Sequence, residues 1–339
     1  MTTDVRNPLD DIRSLIAAMP GPDTASAEKT VARDAQLTKP AGSLGRLEEL
    51  AVFLATWQSK APPTVASPLT AVFAAAHGVA ERGVSAYPLS VNKQMVKNFS
   101  DGGAAINQIC RSYDIGLKVL ELALDHPTPD IVEADAFDEA GLAATIAFGM
   151  EALADGPDVL CLGEMGIGNT TVASAIYHAL YGGTAADWVG PGTGVNAEGL
   201  RLKAETVAAA VARVSPTGDG LDVLMRLGGR EIAAMAGAIL AARFQRVPVV
   251  MDGFVTTAAA AVLHAVDPTA ISHCLFSHVS AEPAHKAVLA RLGVRPLFDF
   301  DMRLGEGTGA AIACGVLKAA AAVHSGMRTF AEAGVDGKD

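Results

Sequence analysis

The chain has 339 residues, of which 50% are hydrophobic and 19% charged, and its formal net charge is -11. Because single cores stop growing at roughly 250–300 residues, this length predicts one large core with a smaller unit attached. The negative charge disfavours a general electrostatic grip on nucleic acid or anionic lipid, which requires a basic surface. We therefore expect small molecules or a second copy of the chain as partners, and neither nucleic acid nor a membrane.

The amino-terminal segment MTTDVRNPLDDIRSLIAAMPGPD carries acidic residues where a secretory signal has a basic region followed by an apolar run. No later stretch reaches about 18 uncharged apolar residues, the length that predicts a membrane span. Four cysteines are scattered without a CxxC pair, which is typical of reduced core residues: Cys110, Cys161, Cys274 and Cys314. These features predict a cytoplasmic protein.

Residues 1–60 differ from the rest of the chain. They comprise a helical stretch, the loop LTKPAGSLGRLEELA, a second helix and the linker KAPPTVASP. We interpret them as a small helical domain, joined by the terminal helix of residues 310–339. Residues 61–309 then form a large α/β catalytic domain.

The large domain repeats a short apolar run, a polar turn and an alanine-rich helix, a pattern that predicts a parallel sheet flanked by helices, as in Rossmann-like folds. The runs are continuously apolar, as expected for strands buried on both faces. The predicted strands are Leu69–Ala75, Val159–Leu162, Val247–Met251, Ile271–Phe276 and Leu297–Phe300. Ligands of open parallel sheets bind beyond the carboxyl ends of the strands, so the polar motifs after these runs predict the site.

Two glycine clusters follow predicted strands. GEMGIGNTT, residues 163–171, precedes a helix, so its backbone amides and the helix dipole suit a phosphate. It lacks the spacing and lysine of a Walker loop, and glycines at such a turn also serve tight packing. VGPGTGV, residues 189–195, precedes Lys203, which either adds a charge to the same anion or is a solvated helix residue.

RLGEGTG, residues 303–309, places Glu306 between glycines at the mouth of the last unit. Glycines allow a ligand to approach closely, and a partly desolvated glutamate with a raised pKa can act as a general base. A solvated loop acid is the alternative, and this motif alone does not separate the two.

SHVSAEPAH contains His278, Glu282 and His285, which share one helical face if the helix is continuous. That spacing raises the hypothesis of a metal-dependent hydrolase using His278, His285 and Asp252. Pro283 instead predicts that the helix begins near Glu282, which leaves His278 on the preceding loop.

LTKPAGSLGRLE, HGVAERGVSAYP, GGAAIN, GEMGIGNTT, MDGF, SHVSAE and MRLGEGTGAA together resemble the nicotinate-nucleotide:dimethylbenzimidazole phosphoribosyltransferase family, from about Leu37 to Ala320. The resemblance implies a three-layer α/β domain, a small domain from both chain ends, and a homodimer. It implies transfer of phosphoribose from nicotinate mononucleotide to 5,6-dimethylbenzimidazole in cobalamin biosynthesis, with no cofactor and no metal.

The resemblance also implies site residues. They are Glu306 and Glu164 for catalysis; Gly166, Ile167, Gly168, Asn169, Thr170, Lys203 and Ser277 for the phosphate and ribose; and Tyr87, Met95 and Leu304 for the aromatic base. One departure is Ala76, where family members commonly have the aspartate of DHG. If that acid orients His77, local order or base selection differs here. Two alternatives remain: a related transferase with another acceptor base, and a non-catalytic sensor that keeps the fold.

Overall fold

A computed structural model describes residues 7–192, 194–214 and 218–336. Its five strands are β1 (Pro68–Ala74), β2 (Gly116–Glu121), β3 (Val159–Met165), β4 (Val249–Met251) and β5 (Cys274–Phe276). All neighbouring strands are parallel, and their order is β2-β1-β3-β4-β5. The predicted parallel α/β sheet is confirmed.

Fourteen α-helices lie in the described part of the chain. They are α1 (Pro8–Ala17), α2 (Thr24–Asp34), α3 (Arg46–Gln58), α4 (Val91–Ser100), α5 (Ala105–Tyr113), α6 (Glu139–Met150), α7 (Asn169–Tyr181), α8 (Ala197–Val214), α9 (Gly220–Leu227), α10 (Arg230–Phe244), α11 (Phe254–Val266), α12 (His285–Arg291), α13 (Thr308–Gly326) and α14 (Phe330–Ala333). Short 3-10 helices span Gly78–Arg82, Glu151–Leu153, Ala185–Asp187 and Pro268–Ile271.

Four of the five predicted strands are present, and the fifth prediction is wrong. The segment 297–300 forms only an isolated bridge, between Phe298 and His278. Phe300 is 60% exposed, so this apolar run is not buried on both faces as a central strand would be. Strand β2 was not predicted, because it is an edge strand that includes polar Lys118 and is only partly buried.

Alternate side chains of the central strands enter two different helical layers, which confirms the three-layer prediction. Ala71 and Phe73 of β1 pack in one core with α6, α7, α10 and α11. Val72 of the same strand and Cys161 of β3 pack in the other core, with α3, α5 and α13. This two-residue alternation explains why the strands are apolar on both faces.

Helices α6 and α10 cross at backbone contact. A Cβ on Gly149 would overlap the carbonyl oxygen of Ala234, and a Cβ on Gly237 would overlap that of Ile146. Neither carbonyl can move without disturbing its helix, so glycine is required at both positions.

We therefore expect Gly237→Ala to lower the free energy of unfolding by about 3 kcal/mol, because the added methyl overpacks a rigid contact. Urea denaturation measures this loss. The matched control is Gly326→Ala at the end of α13, where a Cβ would meet nothing within 4 Å. That change should alter stability by less than about 1 kcal/mol. Equal effects of the two substitutions would contradict the close crossing.

Helix α13 joins two parts of the chain. It packs against β1, β3 and β4 and also against α2 and α3, and Leu37 bridges to Thr329 just beyond it. We propose that residues 1–60 and 310–339 form the small domain, with α13 shared, while α1 packs on α6. By length and composition alone α13 could span a membrane, but half of its apolar window is buried, as in a core helix.

Candidate active site

A cleft that is partly open to solvent lies at the carboxyl ends of β3, β4 and β5. Its lining comes from segments 164–170, 253–255, 278–282 and 303–305, together with Gly192. The glycine-rich motifs and the SHVSAE motif, which are far apart in sequence, therefore meet at one place. Two carboxylates, Glu164 and Glu282, line the cleft, and the buried Lys203 lies behind its Thr170.

Glu306 lies in a turn of three left-handed residues. The φ angles are 82° at Gly305, 63° at Glu306 and 82° at Gly307. A Cβ on Gly305 would overlap Glu164 Oε1, and one on Gly307 would lie 2.9 Å from Thr70 Cγ2, so both neighbours must be glycine. The turn thus lies directly on the end of β3 and β1 and holds Glu306 against Glu164.

The Glu306 side chain is buried, and its Oε2 has no hydrogen-bond partner among the described residues. Burial raises the pKa of this carboxyl to about 7. The solvated-acid alternative for Glu306 is therefore wrong. The cleft is lined by the neighbouring Gly305 and not by Glu306 itself, so this carboxylate lies directly behind the lining. An unpaired carboxylate at such a place can accept a proton from a bound ligand.

Glu164 lies beside it at the end of β3. Its Oε2 accepts a hydrogen bond from the Asn169 side chain, and the Glu306 N–H donates to the Glu164 carbonyl over 3.2 Å. Burial, and then the charges of Asp252 and Glu231, raise the pKa of Glu164 to about 8. No lysine or arginine pairs with Glu164 or Glu306 within the described ranges, so this end of the cleft favours a cationic ligand.

Asp252 anchors the turn that carries Glu306. Its carboxylate accepts backbone hydrogen bonds from Gly307 (3.1 Å), Gly309 (2.7 Å) and Ala310 (3.1 Å), at the amino terminus of α13. Burial raises the pKa of Asp252 to about 7. Sequence reasoning considered this residue only as a metal ligand. The signal that it missed is an aspartate placed directly after strand β4.

Lys203 is 1% exposed, so it is not a solvated helix residue. Its Nζ donates to Thr170 Oγ1 over 3.0 Å and to the Gly190 carbonyl over 2.9 Å. Burial lowers the pKa of Lys203 to about 8. A Cβ on Gly192 would lie 3.1 Å from Nζ, so glycine lets the backbone lie against the ammonium group. The lysine therefore lies behind the wall of the cleft at Thr170.

Two charged side chains not predicted as site residues hold the same glycine turn. Glu282 Oε1 accepts from the Gly192 N–H over 2.8 Å, and Arg303 Nη1 donates to the Gly192 carbonyl over 2.7 Å. Both residues lie within motifs singled out above. Lys203 and Arg303 form what we call the cationic corner. The Glu282 carboxylate lies against the same turn, and its Oε2 has no hydrogen-bond partner among the described residues. Thr193, in the predicted cluster 189–195, lies outside the described residues.

The turn of GEMGIGNTT is held from behind by the segment after β1. The Ile167 N–H donates to Asn92 Oδ1 over 2.9 Å, so this amide is satisfied within the protein. A Cβ on Gly166 would lie 3.0 Å from His77 Nε2, and one on Gly168 would lie 3.2 Å from the Ala80 Cβ. Both the packing role and the ligand role of these glycines are therefore compatible with the geometry.

His77 has a carboxylate partner other than the family's usual aspartate. Its Nε2 lies 2.9 Å from Glu231 Oε1, and both side chains are fully buried, although the contact lacks hydrogen-bond angles. Ala76 is buried among Leu124 and other apolar side chains. The orientation of His77 therefore does not depend on an acid at position 76.

The side chains of the metal hypothesis already have partners. His285 Nδ1 accepts from the Ser280 N–H, and its Nε2 lies 2.9 Å from Thr257 Oγ1. His278 precedes α12, as Pro283 predicted. Across residues 7–192, 194–214 and 218–336, no three His, Cys, Asp or Glu side chains form a metal-binding group.

The remaining predicted residues differ in their access to the cleft. Leu304 lines it and is 58% exposed. Met95 is half-buried on α4, and Tyr87 is 53% exposed on the loop before α4; neither is part of the lining. Ser277 is fully buried beneath the wall, where His278 and Ser280 provide the surface.

Comparison with known proteins identifies the family. Residues 19–335 match the phosphoribosyltransferase family DBI_PRT. The chain is 63% identical to the nicotinate-nucleotide–dimethylbenzimidazole phosphoribosyltransferase of Methylocella silvestris over 98% of this chain and 97% of that protein. It is 60% identical to the same enzyme of Rhizobium rhizogenes, over 98% of both chains.

A solved structure agrees with this similarity. The crystal structure of CobT from Thermus thermophilus superposes with a TM-score of 0.86 and 40% identity, covering 93% of this chain and 100% of that one. Sequence and fold thus agree over nearly the whole chain. The chain belongs to the nicotinate-nucleotide:dimethylbenzimidazole phosphoribosyltransferase family.

Proposed function

We propose that the chain transfers the 5-phosphoribosyl group of nicotinate mononucleotide to 5,6-dimethylbenzimidazole, giving α-ribazole 5'-phosphate and nicotinate for cobalamin biosynthesis. Family membership and the relatives' names support the reaction. The observation that carries it is the Glu306 carboxylate, which is buried, has an unpartnered Oε2 among the described residues, and has a pKa of about 7.

The leaving group needs little help from the protein. The nicotinate nitrogen of the nucleotide already carries a positive charge, so the departing base requires no general acid. The nucleophile has the opposite need. When one benzimidazole nitrogen attacks the anomeric carbon, the other must lose its proton, or the product remains a cation in a desolvated site.

We assign the removal of this proton to Glu306. Its free Oε2 accepts the benzimidazole proton, and a pKa near 7 makes it a stronger base than an ordinary carboxylate while a large fraction stays ionised at neutral pH. Attack on the face opposite the departing base inverts the β linkage of the substrate to the α linkage of the product. The proton leaves the heterocycle as the new bond forms.

Glu164 stabilises the ribose during transfer. The anomeric carbon gains positive charge as the nicotinate departs, and a nearby carboxylate is favoured beside a developing cation. Glu164 has no cationic partner among the described residues, so its charge is available to the substrate. A cation beside it lowers its pKa from about 8 and favours the ionised form.

The cationic corner holds the phosphate. We expect Lys203→Ala to raise the KM for nicotinate mononucleotide by about 10-fold to 100-fold, the usual value of a charge-assisted hydrogen bond, with a much smaller change in kcat. Steady-state kinetics measure both. Lys286→Ala on α12 removes the same charge from an exposed site and should change neither. A large loss of kcat at unchanged KM would contradict the binding role.

The pH dependence of kcat/KM follows from the two carboxyl groups and from Lys203. Glu306 must be ionised to accept a proton and Glu164 to stabilise the ribose, so the rate should fall below about pH 8 and more steeply below about pH 7, their raised pKa values. Lys203 must be protonated to bind phosphate, so the rate should fall above about pH 8, its lowered pKa. Initial rates from about pH 5 to about pH 10, a range of about two units beyond the lowest and highest of these pKa values, measure this profile. A flat profile would contradict these assignments.

The remaining proposals concern the cellular location and the oligomeric state of the protein. We propose that the enzyme acts in the cytoplasm as a homodimer. Exposed apolar side chains near the cleft mouth, at Phe300 and Leu304, are compatible with a protein contact there. Light scattering of the purified protein tests the oligomeric state, and a monomer at all concentrations would contradict it.

A chromatographic assay tests the reaction. Purified protein is incubated with nicotinate mononucleotide and 5,6-dimethylbenzimidazole, without added metal, and both products are followed. We expect nicotinate and ribazole phosphate in equal amounts. Transfer only to another base would identify a related transferase. No product with any acceptor would favour the sensor, and metal-dependent phosphate or base release would favour the hydrolase.

A further inference from the structure

His278 is a rigid, buried imidazole that faces the cleft and has no role in the steps above. It lines the cleft but is only 3% exposed. Its ring stacks on Phe298, with centroids 5.9 Å apart and an interplanar angle of 12°. Its Nδ1 lies 2.8 Å from Ser277 Oγ. Stacking and hydrogen bonding together fix the orientation of the ring.

The hydrogen bonds also determine which ring nitrogen carries the proton. Ser277 Oγ donates to the Asp252 carbonyl over 2.9 Å, and a carbonyl can only accept. The single hydroxyl proton is therefore used, so Ser277 Oγ accepts from the protonated Nδ1 of His278. Within the described part of the chain, the Nε2 atom is left with a free lone pair. Burial lowers the pKa of His278 to about 4, so the ring stays neutral at neutral pH.

The segment 277–282 connects the two ends of the site. At its start, Ser277 contacts Asp252, which anchors the turn of Glu306. At its end, Glu282 holds Gly192 in the cationic corner. His278 lines the cleft, and its Nδ1 lies 3.9 Å from Asp252 Oδ1. We expect the sugar of a nucleotide to lie along this segment, because it joins the phosphate to the reacting anomeric carbon.

We propose that His278 Nε2 accepts a hydrogen bond from a ribose hydroxyl of the nucleotide, and that this contact selects ribonucleotides over deoxyribonucleotides. The proposal deepens the proposed function and rests on it. The hydroxyl groups are the donors that the sugar offers to an uncharged acceptor. The other donor in the reaction, the benzimidazole N–H, is matched by Glu306, the more basic group.

Binding measurements test this inference separately from turnover. Titration calorimetry without acceptor base gives the Kd of nicotinate mononucleotide and of its 2'-deoxy and 3'-deoxy analogues. For the wild-type protein we expect one analogue to bind about 10-fold more weakly, the value of one neutral hydrogen bond. His278→Phe keeps the stacked ring but has no acceptor, so it should bind nicotinate mononucleotide and that analogue equally. His278→Gln, which can present an acceptor near Nε2, should restore part of the selectivity.

His264→Phe is the matched control, since this imidazole lies ten residues along α11 from the cleft-lining Phe254. It should keep the wild-type selectivity. Two results would overturn the inference. One is that the wild-type protein binds nicotinate mononucleotide and both deoxy analogues with the same Kd, and the other is that His278→Phe keeps the wild-type selectivity. Failure of the proposed function has a different signature, which is normal nucleotide binding and selectivity with no transfer to any acceptor.

Discussion

Glu306→Gln is expected to lower turnover by about 10²-fold to 10⁴-fold, the usual contribution of a general base, while nicotinate mononucleotide binds with nearly unchanged affinity. Glutamine keeps the size of the side chain, so the left-handed turn between Gly305 and Gly307 should persist. What it loses is the ability to take the benzimidazole proton. Rapid-quench or steady-state rates measure the loss, and calorimetry measures the binding.

The matched control for this variant is Glu139→Gln, an exposed glutamate in the first turn of α6. It should retain full activity. The pH profile of kcat at saturating nucleotide gives a second criterion. The bound cation then keeps Glu164 ionised, so Glu306→Gln should lose the fall in kcat below about pH 7. Turnover that is unchanged in Glu306→Gln would remove this residue as the base and leave Glu164 as the candidate.

Asp252→Ala is expected to lower both stability and turnover. The carboxylate accepts three buried backbone N–H groups at the start of α13, and alanine leaves all three without that acceptor. Unsatisfied buried donors cost about 1–3 kcal/mol each before relaxation, so we expect a loss of about 2–5 kcal/mol in the free energy of unfolding. Because Gly307 is released, Glu306 shifts, and a displacement of about 1 Å can cost about 100-fold in rate.

Asp138→Ala provides the control, since Asp138 caps α6 through the Gly141 N–H at an exposed site. It should cost about 1 kcal/mol and leave kcat unchanged. Asp252→Asn separates the two effects of the test variant, because its amide oxygen keeps an acceptor for Gly309 and Ala310 while its N–H₂ group faces the Gly307 N–H, which then has no acceptor. Full activity in a folded Asp252→Asn would contradict the anchoring role.

The sequence predicted the features that depend on local patterns. Continuous apolar runs identified four buried strands, because central parallel strands are covered on both faces. Edge strand β2 did not meet this criterion, since its residues are at most partly buried and polar Lys118 interrupts its apolar run. The run at 297–300 met the criterion without being a strand, because Phe300 projects into solvent and only Phe298 forms a bridge.

The sequence predicted those site residues whose role is indicated by the motif in which they lie. Glu306 between two glycines and Lys203 after a glycine cluster were identified as candidates before the fold was known. The partnership of His77 with Glu231 joins positions 154 residues apart, as their numbers give, so no local pattern reveals it. The anchoring role of Asp252 likewise depends on the start of α13, more than 50 residues later.

The anomeric configuration of the product tests the account most directly. Nuclear magnetic resonance of the ribazole phosphate formed from nicotinate mononucleotide and 5,6-dimethylbenzimidazole distinguishes the α linkage from the β linkage. Direct attack opposite the departing nicotinate, with Glu306 accepting the proton, predicts the α product only. A β product, or ribose phosphate released by water in its place, would contradict the proposed transfer.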